Sequence, residues 1–424
     1  MRYVERTVTL QQQERQEEQE EWTGARDVAA SPAHGGINRS GPWRTLLLVA
    51  LLTGLIYGAV VAITISHYSD NVSALIVAGE QFVERYPGSP GHHTVVYRHD
   101  SYDGLGYYYI AGNPFMRDPY IHDALRYQRI GYPFLVWAVS LGQRAWQPGV
   151  MIGVNIAAVM AVALLAGALI MWYAPGASVW WALACAVNPA LIIGVRDDLI
   201  EPLLTALALA GLLLYLRGRV GWAALVFAAA LLTREVGILF LAPLLVAELT
   251  ARRWPRFVVL ALSVVPYLIW QQIVTRAIGY SSTDTVEHNF QPLLVGMRLV
   301  VAGLPYVPAW ERMYVPGIVA AMVIVVAALA VAAWQAWRRY DIVLGGIIVH
   351  CIAALFGGWV IWQGYRSAPR VFGGLYPLLI FAYLLYRRRN PGFAPVVGLI
   401  LLLTIFVFVT QVVVAPTQAY YVTP

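Results

Sequence analysis

Asp103 stands in the stretch Ser101-Tyr102-Asp103-Gly104-Leu105-Gly106-Tyr107-Tyr108-Tyr109, and Arg126-Tyr127-Gln128-Arg129-Ile130-Gly131-Tyr132-Pro133 follows in the same polar segment. A positioned carboxylate can take a proton from a hydroxyl, and guanidiniums close behind it can neutralise a phosphate in two-point geometry. Those are the parts of a membrane-surface site that joins a hydroxylated acceptor to an anionic donor. In that reading Asp103 is catalytic, and Tyr102, Tyr107, Arg126, Arg129 and Tyr132 border the substrate. Arg126 and Arg129, three residues apart, are expected on one helix face, where both could grip one phosphate. The same residue types also have plain structural uses: Asp-Gly forms turns, tyrosines line membrane interfaces and arginines reach for lipid headgroups.

Acids and arginines recur downstream. Arg196-Asp197-Asp198-Leu199-Ile200-Glu201-Pro202 packs three acids and an arginine into a tight turn, with Asp197 and Glu201 one helical turn apart; Asp197 and Asp198 are further catalytic candidates. Adjacent acids suit a divalent cation, so that cofactor stays open, but no dedicated metal site is expected. His92, His93, His99 and His122 match no zinc spacing. The chain has no phosphate-cradling Gly-Lys-Ser loop and no nucleophile elbow. Arg234-Glu235 reads as a self-neutralising pair capping a helix hairpin, or as part of the substrate site with Glu201. Arg366 and Arg370 come in the last short outer turn; Arg370 is expected to enter an apolar helix, where it needs a partner, either a lipid-linked phosphate or a lipid headgroup.

The elements that must position these groups are hydrophobic. Fifty-nine per cent hydrophobic residues, 12% charged and a mean hydropathy of +0.62 define a polytopic membrane protein. All 29 basic residues are arginine and the net charge is +6; this charge is read as topology, with no nucleic-acid partner. Cys185 and Cys351 lie inside apolar runs, giving redox chemistry no support. Residues 1–43, with a Gln/Glu-rich run, read as a disordered cytosolic tail. Residues 44–415 form the transmembrane domain, 67–148 a long first outer loop carrying interfacial helices, and 416–424 an outer tail.

At about 20 residues per crossing, spans fall at 45–66, 149–172, 177–195, 199–216, 257–275, 315–337, 341–362, 370–386 and 392–414. The run 222–248 is too long for one ordinary crossing and is interrupted at Thr233-Arg234-Glu235, so it is split into two short helices. The expected fold is all-α with about eleven transmembrane helices. Arg217, Arg219, Arg252, Arg253, Arg256, Arg338, Arg339 and Arg387 to Arg389 then share the cytoplasmic side with the N-terminus, and the acid-arginine motifs share the other.

The order of these features resembles the GT-C superfamily of polyprenyl-phosphate-sugar-dependent glycosyltransferases, including its mannosyltransferase-like bacterial members. The resemblance covers most of residues 45–390. It rests on Tyr102-Asp103-Gly104 in the first loop, on Asn188-Pro189 through Asp198 to Glu201-Pro202, and on the hairpin Leu231-Leu232-Thr233-Arg234-Glu235-Val236-Gly237. It implies that Asp103 is the base or acceptor-orienting carboxylate, that Asp197 or Asp198 is the second-loop acid, and that Arg366 and Arg370 lie near the lipid phosphate. The chain departs from the pattern in having a single Asp in place of the Asp-Glu pair of protein O-mannosyltransferases, and in lacking an Asp-x-Asp triplet.

The function so implied is transfer of a sugar from a polyprenyl-phosphate donor to a hydroxyl on a lipid or glycan acceptor, at the non-cytoplasmic face of the plasma membrane. The rival is a secondary transporter or lipid flippase, in which buried charges serve as transport sites. The chain shows no inverted repeat, and the long loop 67–148 is foreign to that design.

Overall fold

The computed structural model describes residues 41–85, 94–98, 101–117, 123–281, 290–306, 312–414 and 419–421. Nearly all of the expected tail 1–43, the four histidines considered for zinc, and most of 416–424 lie outside these residues. Contacts divide the chain into Met1–Arg44 and Thr45–Pro424, and the second unit carries the sheet, the candidate site and every helical residue from Thr45 onward.

The chain is mostly helical, and among the described residues five helices are long and apolar enough to cross a bilayer: Trp43–Ser66, Arg144–Tyr173, Trp254–Ile278, Arg312–Arg338 and Phe393–Val413. Five more apolar helices are shorter, at Glu201–Leu216, Val220–Thr233, Val295–Tyr306, Ile342–Leu355 and Leu375–Tyr386. Pro148, Pro189, Pro202, Pro255, Pro266 and Pro316 each sit in the first turn of a helix, where a missing N–H costs nothing because that donor has no partner within the helix.

Three expected spans are interrupted, each for a visible reason. The span 177–195 is two helices, Trp181–Ala186 and Pro189–Arg196. Asn188 between them is extended, because the residue before a proline is kept out of the helical region. Its side chain bridges the break, accepting from the Leu191 N–H at 3.2 Å and donating to the Cys185 carbonyl at 2.8 Å. The span 341–362 stops at Leu355 and resumes as Trp359–Gln363 after Gly357 and Gly358. The span 370–386 begins only at Leu375, so Arg370 lies in a turn and not in an apolar helix.

The run 222–248 does divide at Arg234, whose backbone is extended between Val220–Thr233 and Ile238–Thr250. Arg234 pairs with Glu201 at the start of one neighbouring helix, while the Tyr215 hydroxyl near that helix's end donates to Glu248 at 2.7 Å. The chain therefore runs from one end of the bundle to the other and back between residues 216 and 248.

The helix Ile342–Leu355 lies antiparallel to Ile238–Thr250, since His350 packs on Phe240 with ring centroids 4.8 Å apart and Gly345 lies against Pro243. This brings Asp341, which accepts from the Tyr386 hydroxyl, to the Glu248 end. The arginines at 217, 219, 252, 253, 338, 339 and 387–389 thus flank one end of the bundle, and the acid-arginine motifs flank the other.

The fold is not purely helical. Ala78–Gly79 (β1) pairs parallel with Val95–Tyr97 (β2), and β2 pairs antiparallel with Ala419–Tyr421 (β3), in the order β1-β2-β3. The loop after the first helix is thereby tied to the end of the chain.

Candidate active site

Asp103 opens the helix Asp103–Gly112, directly after Tyr102, whose backbone is extended and whose N–H donates to the Val77 carbonyl at 3.2 Å. An acid in a first turn is favoured by the helix dipole. The two glycines that follow permit close approach: a methyl at Gly104 would run into the carbonyl oxygen of Asp197, and one at Gly106 into the side chain of Arg126. The Gly-x-Gly spacing after Asp103 is what lets the Asp197 turn and the Arg126 guanidinium reach it.

The carboxylate of Asp103 accepts from Arg126 at 3.2 Å on one oxygen and from Arg370 at 3.1 Å on the other, and its side chain keeps 21% exposure. Burial pushes its pKa up, but the charges of Arg126, Arg370 and Arg129 outweigh burial and hold the carboxyl well below the usual carboxylate range. Tyr102, buried beside it, is pushed up to about 12, with the Asp103 charge adding to burial. Tyr107 rises to about 12 for the same first reason.

A chain of ion pairs extends from this carboxylate. Arg370 also meets Glu201 at 3.0 Å, and Glu201 pairs with Arg234. The guanidiniums of Arg370 and Arg366 lie over the Tyr102 ring, 4.9 and 5.2 Å from its centre. Arg366 reaches Asp197 at 3.4 Å, Asp197 also pairs with Arg196, and Arg196 donates to the Gln411 carbonyl at 2.9 Å. Buried charges are costly unless paired, and here almost every one has an opposite neighbour.

Two expected groupings are different. Arg126 and Arg129 do not share a helix face: the helix Ala124–Tyr127 ends between them. Arg126 turns to Asp103 and, at 2.5 Å, to Asp123. Arg129 forms a two-point pair with Glu235 at 2.9 and 2.6 Å. Arg234 and Glu235 therefore do not pair with each other: Arg234 is extended while Glu235 opens the short helix Glu235–Gly237, and their side chains diverge to different partners. Their partners are Glu201 and Arg129.

Asp198 faces away from Asp103's arginines. It has a left-handed backbone, with φ at 48°, and is fully buried beside Asn155, whose amide lies 3.5 Å from it and also donates to the Tyr132 hydroxyl at 3.0 Å. Burial, aided by the neighbouring Asp197 charge, drives the Asp198 carboxyl well up. The network pairs six arginines (126, 129, 196, 234, 366 and 370) with five acids (103, 123, 197, 201 and 235). Among the described residues no group of three His, Cys, Asp or Glu converges as metal ligands.

Beside the charges runs a groove of about 730 Å³, lined by Leu299, Val300, Leu304 and Ile318 along its length and by Tyr102 and Arg366 at the network. Tyr314 and Tyr365 stack on its wall with centroids 4.0 Å apart.

Asp123, Asn155, Arg196 and Gln411 belong to this arrangement without having been picked out as site residues. Asn155 and Gln411 carried a signal, each being an amide set among mostly apolar helical residues. No protein-family profile matches the chain, and no characterised protein or solved structure matches it.

Proposed function

We propose that the protein is a GT-C-type glycosyltransferase that moves a sugar from a polyprenyl-phosphate donor to an acceptor hydroxyl. The observation that carries this reading is Asp103: a partly exposed carboxylate held between two arginines where an apolar groove meets an arginine-rich cluster. The groove suits a polyprenyl chain, and Arg366 and Arg370 stand where its phosphate would arrive.

In the reaction the acceptor oxygen attacks the anomeric carbon as the bond from that carbon to the phosphate oxygen breaks. The hydroxyl proton passes to Asp103, and the electron pair of the broken bond leaves with the polyprenyl phosphate, whose new charge the guanidiniums stabilise. One displacement inverts the anomeric centre. Asp103 clamped by two arginines is a weak base. A donor phosphate that draws Arg370 or Arg126 toward itself raises the basicity of Asp103 as it binds, so that base and donor are readied together.

The arginines flanking the opposite end of the bundle support a cytoplasmic assignment for that end under the positive-inside rule. The catalytic end, the C-terminal strand and the acceptor then lie on the outer face of the plasma membrane, with about eleven crossings in all.

The test is incubation of purified protein in lipid nanodiscs with radiolabelled polyprenyl-phosphate sugars and membrane extract. Transfer of label to a lipid or glycan product, lost in Asp103→Asn, is the expected result. Sugar donors left intact by wild type across the panel, or equal turnover by Asp103→Asn, would overturn the proposal.

A further inference from the structure

Below Arg370, on the side away from Asp103, lies a cavity of about 10 Å³ bordered by Glu201, Thr205, Phe240, His350, Arg370 and Gly374. A space of that size admits about one water molecule. Four of its neighbours are polar and more than nine-tenths buried: Thr205 at 4%, and the three ionisable side chains Glu201 at 3%, Arg370 at 4% and His350 at 2% exposure.

Their hydrogen-bonding capacity is complementary. Nδ1 of His350 lies 2.8 Å from the Gly346 carbonyl, which can only accept, so the proton sits on Nδ1. Nε2, which abuts Gly374 on the cavity wall, is then an acceptor in the neutral ring. Among the described residues, Nε of Arg370 has no acceptor and Oε2 of Glu201 has no donor. A water there accepts once and donates twice: from the Arg370 Nε–H, to Glu201 Oε2 and to His350 Nε2. Those three bonds would satisfy the Arg370 Nε–H and the Glu201 Oε2, which otherwise lack a partner, and give the His350 acceptor a donor.

We propose that this cavity is a structural water site, and that His350 is a positioning residue that acts through the water to fix the Glu201–Arg370 pair. The fixed guanidinium edge is Nε. Its other nitrogens face Asp103 and the Oε1 side of Glu201, so a guanidinium held at Nε presents its free edge to the reaction centre at one angle. The role of His350 rests on the reading of Arg370 as the donor phosphate's ligand; the water site itself does not.

The experiment is an experimental structure of the wild-type protein in nanodiscs at a resolution that shows ordered waters, paired with binding of farnesyl phosphate, a short polyprenyl phosphate. Density for one water in contact with all three groups is expected. His350→Phe, which keeps an aromatic ring and removes the acceptor, is expected to bind farnesyl phosphate about tenfold more weakly while still expressing as a folded protein. His350→Gln, which restores an acceptor, should recover most of that loss. An empty cavity in the wild type overturns the water site, whatever the activity. A water that is present with farnesyl phosphate bound equally by wild type and His350→Phe overturns the positioning role. Should His350→Phe not fold, His350→Gln decides: a tenfold loss in this folded variant as well would mean that the acceptor is not what matters. A wild type that binds no farnesyl phosphate and transfers no sugar removes the glycosyltransferase reading while leaving the water site to the density.

Discussion

Asp103 and Arg370 are 267 residues apart in the chain and 3.1 Å apart in space. This contact joins the loop after the first helix to the turn before Leu375–Tyr386, and Arg370 carries it on to Glu201. A clamp assembled from segments so remote forms only when nearly the whole helical bundle is in place.

Removing the Asp103 charge should separate binding from turnover. In Asp103→Asn, transfer is expected to fall by about 10²–10⁴, while donor affinity holds or tightens, because Arg126 and Arg370 lose a competitor for the phosphate. Arg370→Gln should weaken donor binding, and Arg370→Lys should restore only part of it, since an ammonium lacks the planar two-point grip. Calorimetric titration with a polyprenyl phosphate reads both. A donor affinity that drops in Asp103→Asn as far as in Arg370→Gln counts against opposed roles for the two residues.

The pH dependence follows from the depressed Asp103 carboxyl. Its folded pKa lies below its unfolded value of about 3.9, so its contribution to stability is present above that value and is lost only as pH falls through the folded pKa. Melting temperature should therefore show no loss traceable to Asp103 between about pH 5 and about pH 9: the difference between wild type and Asp103→Asn should stay constant there. In kinetics, kcat/KM reports the free enzyme and kcat the donor complex. The acid limb of kcat should lie at higher pH than that of kcat/KM, because bound phosphate draws positive charge from Asp103. Coincident limbs would show that the donor leaves the clamp closed.

Arg129 is committed to Glu235 and should behave as a structural residue. Arg129→Gln and Glu235→Gln are each expected to cost about 1–3 kcal/mol of stability by leaving a charged partner alone, and the double variant to recover part of it. Donor affinity should fall less in Arg129→Gln than in Arg370→Gln. Additive losses in the double-variant cycle, read by thermal unfolding, would deny the pair.

The groove can be blocked where it is open. A Cβ at Gly303 meets no atom within 4 Å, so Gly303→Phe should enter the groove without disturbing the helix that ends there. The KM for a long-chain donor is expected to rise severalfold while a two- or three-isoprene analogue is affected less. Equal effects on long and short donors would place the chain elsewhere.

Topology can be read by cysteine labelling, with Cys185 and Cys351 first replaced by alanine. Cysteines placed at the exposed Arg117 and Arg252 should label from opposite sides of the membrane. Labelling from one side would remove the double traverse through residues 216–248.

The bundle was legible because apolar runs and helix-starting prolines are local signals, and the break at Arg234 was legible because two charges interrupt a run too long to cross once. The gathering of Asp103, Asp197, Glu201, Arg126, Arg366 and Arg370 into one network was suggested only by the alternation of spans. Partner choice was not legible. Arg126 and Arg129 differ in partners because a short helix ends at Tyr127, and the ends of short elements follow tertiary contacts more than local preference. The interruption at Asn188 was written in the Asn-Pro pair and was overlooked because the surrounding residues are uniformly apolar.

The pairing of β2 with β3 fixes an arithmetic property of the chain. Two segments that share backbone hydrogen bonds must occupy the same aqueous compartment, so between Tyr97 and Ala419 the polypeptide passes through the membrane an even number of times, whatever the count assigned to each short helix. Any scheme with an odd number of passages between these points is ruled out. A reporter fused after the last strand would emerge on the same side as the loop that carries Asp103.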